Sequence, residues 1–458
     1  MTDIASLALP PALSQALQAL SFDTLTPVQA QAVPPLLQGR DVIAQARTGS
    51  GKTVAFGLGL LARIDPAQGA LQALVLAPTR ELADQVGKVI RQLARFLPNV
   101  KLSILCGGVP LRVQVESLVH MPHIVVGTPG RILEHLEKGS LELGSLRVLV
   151  LDEADRMLDM GFADAIAAVV KFAPRECQTN LFSATFPDEI RALSNEFQRD
   201  AIEISIDGDS QVPEIVQRFY EVEPERKLDT VAWLLSEHKP VSAMIFCNTR
   251  RDTQDVAAAL DERGYSVLAL HGDLEQRDRD EVLVRFANRS CSVLVATDVA
   301  ARGLDIEDLP VVLMYDIASD ADTHVHRSGR TGRAGRSGLV LTLCSSREMS
   351  RAKVIEERLG QPLRWETAKT TPGRLKTGQL STMQTLVIDG GRKDKLRPAD
   401  ILGALTGTAG IAAADVGKIA IFDVRAYVAV TRGIADQALQ KLREGKIKGR
   451  NLRVRKLG

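Results

Sequence analysis

Residues 41–53 read Asp41-Val42-Ile43-Ala44-Gln45-Ala46-Arg47-Thr48-Gly49-Ser50-Gly51-Lys52-Thr53. A short strand-like run passes directly into a glycine-bearing turn and a Lys-Thr pair. The pattern is close to a phosphate-binding loop, except that Ala46 stands where the first glycine usually sits. Glycines let backbone N–H groups wrap closely around phosphate oxygens, and the N-terminus of the following helix adds its dipole. Ala46, Thr48, Gly49, Ser50 and Gly51 are therefore the candidate cradle. Lys52 would reach the β/γ-phosphates and Thr53 would ligate Mg²⁺.

Downstream, the apolar run Val148-Leu149-Val150-Leu151 ends in Asp152-Glu153-Ala154-Asp155. Carboxylates at the C-terminal end of a buried strand lie where open α/β sheets bind ligands. Asp152 suits Mg²⁺ and Glu153 suits an attacking water. An acidic strand end is ordinarily a solvated turn or a helix cap; the phosphate loop upstream argues against that here. The surrounding rhythm agrees: Leu74–Leu76, Ile124–Val126, Met244–Phe246, Val293–Val295 and Leu339–Leu343 alternate with amphipathic stretches, which predicts βαβ units and parallel sheets.

Polar residues and Pro213 interrupt the rhythm, and a second polar stretch follows Thr367. The expected organisation is a first α/β domain at 1–206, a linker at 207–214, a second α/β domain at 215–363, a linker at 364–382 and a tail domain at 383–458. The formal charge is only +1, yet residues 383–458 hold 15 Lys+Arg against 7 Asp+Glu, a balance of +8, leaving −7 for the rest. A basic module on an acidic body suggests polyanion binding, because clustered Lys and Arg release counterions from phosphates. No apolar run approaches the roughly 18 residues a spanning helix requires. The five cysteines are widely separated and never paired as C-x-x-C, so neither a disulfide framework nor a zinc site is supported. A reducing cytoplasmic setting is the default expectation, with no membrane and no obligate protein partner.

Asp152-Glu153-Ala154-Asp155 resembles the signature of the DEAD-box RNA helicases, and the other motifs of that family follow in order. In the first domain these are Thr26-Pro27-Val28-Gln29, Pro78-Thr79-Arg80-Glu81-Leu82, Gly107-Gly108, Thr128-Pro129-Gly130-Arg131 and Ser183-Ala184-Thr185. In the second they are Ile245–Asn248, Gln276–Arg279, Ala296–Asp305 and His326–Arg333. The resemblance implies two tandem RecA-like domains that hydrolyse ATP with Mg²⁺. Gln29 would read adenine, and Asp305 would contact the ribose. Arg330 and Arg333 would neutralise the γ-phosphate from the second domain; three residues apart, they can lie on one helical face, with Gly329 and Gly332 keeping the approach clear. His326, Ser183 and Thr185 resemble the relay that couples hydrolysis to domain closure.

The resemblance further implies RNA contacts from Thr79, Arg80, Gly108, Thr128, Gly130 and Arg131, and from Asn248, Arg279 and Thr297. These are backbone-binding types that carry no sequence specificity. Two positions depart from the family: Ile4 and Leu7 lie where an adenine-stacking Phe is usual, and His324-Val325 replaces the tyrosine that often precedes the His-Arg pair.

The tail reads as strand 384–388, helix 398–405, strands 419–422 and 426–430, helix 434–444 and strand 452–454. That βαββαβ order is the order of an RNA-recognition motif, giving a small α+β domain after two α/β ones. Its aromatic strand is incomplete. Arg425 and Tyr427 share a face, but Arg425 and Val430 replace flanking rings. The stretch Lys446-Ile447-Lys448-Gly449-Arg450 is an alternative basic surface, and a purely structural tail is a third reading. Tail included, the chain resembles bacterial members of the family that act on 23S ribosomal RNA in large-subunit assembly, which would make that RNA and assembly intermediates the partners. A DNA translocase on the same core is the competing enzyme reading. A binding-only RNA chaperone is opposed by the joint presence of Lys52, Glu153, Arg330 and Arg333.

Overall fold

The computed structural model describes residue 4 and residues 7–46, 49–186, 188–206, 215–301, 306, 309–332, 337–369, 378, 380–407 and 410–457. Two compact units divide the chain, with the boundary along the sequence between Val212 and Pro213. The expected linker 207–214 lies outside the described residues.

The first unit holds β1 (Val42–Gln45), β2 (Ala73–Leu76), β3 (Leu102–Leu105), β4 (Ile124–Gly127), β5 (Val148–Asp152), β6 (Gln178–Ser183) and β7 (Ile202–Ser205). They form one parallel sheet in the order β3-β4-β2-β5-β6-β1-β7. Its strands β2, β4 and β5 read as nearly continuous apolar runs because helices cover both faces. Val148 and Val150 of β5 enter one core with Ala73 and Val75, whereas Leu149 and Leu151 enter the other with Leu74 and Leu76. The order places β6 between β5 and β1. The end of β6 therefore lies between the acidic strand end and the glycine-bearing turn after β1.

The second unit begins with another parallel sheet: β8 (Ile215–Glu221), β9 (Ala243–Cys247), β10 (Val267–Leu270), β11 (Val293–Thr297), β12 (Val311–Met314), β13 (Gly338–Cys344) and β14 (Trp365–Glu366), in the order β10-β11-β9-β12-β13-β8-β14. Strand β14 lies inside the stretch read as linker. It pairs with β8 through Trp365 and Phe219, and Tyr220 donates to Glu366 at 2.9 Å, so this sheet continues past residue 363.

The tail forms an antiparallel sheet of β15 (Met383–Ile388), β16 (Val416–Ile421), β17 (Ala426–Thr431) and β18 (Val454–Lys456), in the order β16-β17-β15-β18. With the helices Pro398–Thr406 and Ala435–Glu444 this is the expected βαββαβ arrangement, its last strand two residues later than read. Leu386, Ile388, Val428 and Val430 point at the helices. The alternate residues do not face water. Val387, Tyr427 and Leu457 pack with Val284 of the helix Gln276–Ala287. Beside that cluster Asn288 donates to Thr385 Oγ1 at 2.9 Å, and Thr385 donates to Ser290 Oγ at 2.7 Å. The tail sheet is thus seated on the second α/β domain through an apolar patch flanked by satisfied polar groups.

Among the described residues no helix is long and apolar enough to cross a membrane. All five cysteines are free and buried.

Candidate nucleotide and RNA sites

Gly49 and Gly51 adopt φ of 81° and 93°, conformations that open the turn at no steric cost only to glycine. A Cβ on Gly51 would lie 2.4 Å from Gln29 Nε2. The close approach reflects a tie between two motifs: Gln29 donates to Gly51 O at 3.3 Å, while its Oε1 accepts from Thr26 N at 3.0 Å. Lys52 opens the helix Lys52–Ala62 and is 6% exposed. Its Nζ and Ser50 Oγ are buried without a hydrogen-bond partner among the described residues. A buried ammonium beside an unpaired hydroxyl, at a helix N-terminus, fits an anionic phosphate. Thr53 lies in the first turn of the same helix. Ala46 instead packs into the core, its N–H bonded to Ser183 O at 2.9 Å. Thr48 lies outside the described residues.

Asp152 ends β5. Burial pushes its carboxyl up to about 7 against the attraction of Lys52, and the neighbouring Glu153 charge adds to the rise. Glu153 is 4% exposed and holds a left-handed backbone, φ 53° and ψ 52°, at the strand-to-helix turn. Such strain in a non-glycine residue is maintained only where the surroundings enforce it. One enforcing contact is Arg156, whose Nη1 meets Glu153 Oε2 at 2.7 Å in a buried pair. Arg156 was not singled out from sequence, although its i+3 spacing from Glu153 was legible.

Asp155 accepts from Ala184 N, Thr185 N and Thr185 Oγ1 at 3.1, 3.0 and 3.0 Å, and its own N–H donates to Ser183 Oγ at 3.3 Å. Ser183 and Thr185 are therefore joined directly to the acidic turn. Leu7 is buried in the first core and Ile4 packs against it.

Thr79 and Thr128 are the N-caps of the helices Arg80–Leu93 and Pro129–Glu137. These helices follow the adjacent strands β2 and β4, so two helix N-termini, with Arg80, Gly130 and Arg131, stand along one sheet edge. Gly130 has open space where a Cβ would sit, and Gly108 has φ 79°.

In the second unit Asn248 follows β9, Thr297 ends β11 and Arg279 donates to Ala300 O at 2.7 Å. The Asn248 side chain is committed internally: it donates to Ile317 O at 3.1 Å and accepts from Arg327 at 2.7 Å. Arg327 also grips both Asp298 oxygens at 2.7 Å and donates to Asp316 O. This buried guanidinium ties together three motifs whose spacing alone did not reveal it. His326 lies on the helix Ala321–Ser328. The expected helical face for Arg330 and Arg333 is corrected by that helix's end: Gly329 caps it, Thr331 bridges to Leu309, and Gly332 turns at φ 67°. Arg330 is buried just beyond the cap. Arg333 and Asp305 lie outside the described residues.

The DEAD/DEAH box helicase family model matches residues 26–193, the helicase conserved C-terminal domain matches 226–335, and the DbpA RNA binding domain matches 385–456. The chain is 55% identical to the ATP-dependent RNA helicase DbpA of Escherichia coli across 98% of both chains. It is a DEAD-box ATP-dependent RNA helicase. The DEAD-box helicase CshA of Bacillus cereus is 43% identical over 78% of this chain and 68% of its own. Among solved helicases, S. cerevisiae Dbp5 bound to RNA and ADP BeF3 is 30% identical, covers 81% of this chain and 96% of its own, and superposes with a TM-score of 0.72. Mss116p bound to ssRNA and AMP-PNP is 27% identical over 80% of this chain and 79% of its own, also with a TM-score of 0.72. The helicase's ATP requirement accords with the unpartnered Lys52 ammonium.

The helicase tail separates its two candidate RNA surfaces. Tyr427 is 3% exposed, edge-on to Phe422 at 5.5 Å, and its hydroxyl is pushed up by burial and by Glu281. Arg425 pairs with Asp389 at 3.7 Å. That sheet face is closed to a stacked base in this structure. The stretch 446–450 is a tight turn over the buried Ile447, with Lys448 and Gly449 at φ 51° and 77°. It leaves Lys446, Lys448 and Arg450 exposed. Lys448 and Arg450 reach Asp400 and Asp394 at 3.6 and 3.5 Å, which holds the turn against the first tail helix.

Proposed function

We propose that this helicase locally unwinds structured ribosomal RNA, in particular 23S RNA during large-subunit assembly in the cytoplasm, and that the tail selects the target through its basic turn. The observation that carries the reading is the contrast within the tail: the sheet face is covered, whereas Lys446, Lys448 and Arg450 stand exposed on a loop anchored by the buried Ile447. The match of residues 385–456 to an RNA binding domain supports it.

In the core, Lys52 and the amides of Gly49–Gly51 hold the phosphates, and Thr53 and Asp152 would hold Mg²⁺. The buried Asp152 carboxyl suits such a role, because a divalent cation at that point favours its charged form. When bound there, Mg²⁺ would supply charge neutralisation at the phosphates. Glu153 orients the attacking water, with Arg156 holding it in place. Arg330 and Arg333 supply positive charge at the γ-phosphate and Asp305 meets the ribose. Asp155 passes the state of the acidic turn to Ser183 and Thr185. The Asn248 side chain is spent internally, so any RNA contact there goes through its backbone.

ATPase stimulation by a 23S RNA fragment is compared with an unrelated structured RNA and with a DNA of equal length, at matched salt. The expected result is strong stimulation by the ribosomal fragment and none by DNA. Equal stimulation by both RNAs contradicts the target, and stimulation by DNA contradicts the substrate class.

A further inference from the structure

Gln114 lies on the helix Leu111–Ser117, carries no charge and belongs to none of the motifs described above. It is nevertheless 5% exposed and uses both ends of its amide. Its Oε1 accepts from Arg131 Nη1 at 2.7 Å and lies 3.0 Å from His135 Nε2, while its Nε2 donates to Cys106 O at 2.9 Å. The amide orientation is fixed by chemistry: a guanidinium can only donate and a backbone carbonyl can only accept. His135 must then carry its proton on Nε2. Burial and the nearby Arg131 hold the imidazole below its usual range, which favours that neutral donor.

The partners of Gln114 bracket the candidate RNA surface. Cys106 and Val109 flank Gly107-Gly108, and both carbonyls are gripped, Cys106 O by Gln114 and Val109 O by Arg131 at 2.7 Å. Arg131 also reaches Glu134 through Nε at 3.1 Å. Two of its nitrogens are thereby committed to the protein, and the guanidinium is locked in one direction. Gly107 and Gly130 both border open space where a side chain would stand. The glycine loop after β3 and the helix start after β4 therefore form one braced surface of amides and a fixed arginine, with Gln114 as the brace.

We propose that Gln114 is a positioning residue for RNA: it touches no RNA itself but fixes the glycine loop and Arg131 in the arrangement that accepts a strand's phosphates. This rests on the reading of Gly108 and Arg131 as RNA contacts. The gain is entropic, since a loop already ordered loses less freedom on binding.

The test uses the full-length protein and a single-stranded oligouridylate, reading RNA-stimulated ATPase at varied RNA and at varied ATP. Gln114→Ala is expected to raise the RNA concentration for half-maximal stimulation about tenfold, the scale of one charge-assisted hydrogen bond, with KM for ATP unchanged. Gln114→Glu keeps an acceptor for Arg131 and His135 but loses the donor to Cys106 O, so it should fall between wild type and Gln114→Ala. It also keeps the test open if the alanine variant folds poorly. Arg131→Ala separates the two ideas. If it leaves the RNA response unchanged, the RNA reading of Arg131 is wrong; if it weakens the response, the double variant with Gln114→Ala should be little worse than Arg131→Ala alone. Full additivity, an unchanged RNA response in Gln114→Ala, or a rise in KM for ATP equal to that for RNA overturns the positioning role.

Discussion

On the proposed function, the residues around the acidic turn divide the work of hydrolysis by charge and by position. Lys52 is buried, and among the described residues its ammonium has no hydrogen-bond partner; if it holds the phosphates as proposed, Lys52→Ala should weaken nucleotide binding. Glu153→Gln leaves that contact intact. It should bind ATP normally and lose hydrolysis by about a hundredfold or more, the scale of a positioned base. Fluorescent-nucleotide titration beside ATPase measurement checks both, and equal loss of binding in the two variants contradicts the assignment. A second residue-scale consequence comes from His324, which replaces the family's usual tyrosine. Its ring donates to Gln217 at 2.7 Å, stacks on Phe219 with centroids 5.7 Å apart, and is held down to about 4 by burial and by Arg327. The unfolded chain takes up this proton near pH 6.5 and the folded chain only near 4. Stability from this group is therefore present above 6.5 and is lost as pH falls toward 4. Urea unfolding at pH 7 and pH 5 should differ by roughly 2 kcal/mol through this residue. His324→Gln should flatten that difference, and an unchanged difference sinks the assignment.

At the scale of elements, the tail sheet behaves as a docking face. Tyr427→Ala removes a ring packed with Phe422, Val387 and Val284, so it should lower thermal stability by about 3 kcal/mol or more while leaving affinity for RNA nearly unaltered. Differential scanning calorimetry and RNA titration decide this, and a loss of RNA affinity without a loss of stability would restore the sheet as the RNA surface. The tail was legible because hydrophobic alternation and turns marked its elements; what covers its sheet was not, because the partner Val284 lies far away in the chain. The same contrast runs through the core. Strands such as Val148–Asp152 announced themselves by buried aliphatics. Strand β6 was hidden because it opens with Gln178, Thr179 and Asn180, all buried. Asn180 Oδ1 accepts from Val42 N, and Gln178 donates to Leu36 O and Arg40 O, so polar side chains there knit the sheet to its neighbours. The helix predicted through Arg330 failed for a local reason, two glycines that end it and turn the chain. The resemblance to the family pointed to Gln29 and Arg131, but the bonding of Gln114, Arg156 and Arg327 emerges only in three dimensions.

For the whole molecule, the proposed function puts catalysis and target choice in different parts of the chain, a division that the charge split supports. Arg330 belongs to the second unit and the phosphate loop to the first. If both serve one reaction, Arg330→Ala should bind nucleotide normally yet lose about 10³-fold in RNA-stimulated ATPase, the lower range for an arginine acting on a transferring phosphoryl group. Target choice needs a gentler probe than deletion of the tail, because removal would uncover Val284 and strip Asn288 of its bond to Thr385. Changing Lys446, Lys448 and Arg450 together to Ala removes the turn's pairs with Asp400 and Asp394 but keeps the buried Ile447 and leaves the docking face untouched. If each of the three neutralises one phosphate, the slope of log affinity against log salt should fall by roughly two to three, since structured RNA lies between the duplex and single-strand coefficients. The ATPase of this variant should respond equally to a ribosomal fragment and to an unrelated RNA, with the response to single-stranded oligouridylate unchanged, if the core addresses backbone groups alone as proposed. A variant that keeps full discrimination with a reduced salt slope would show that the turn supplies attraction without choice, and would move target recognition to another face of the tail.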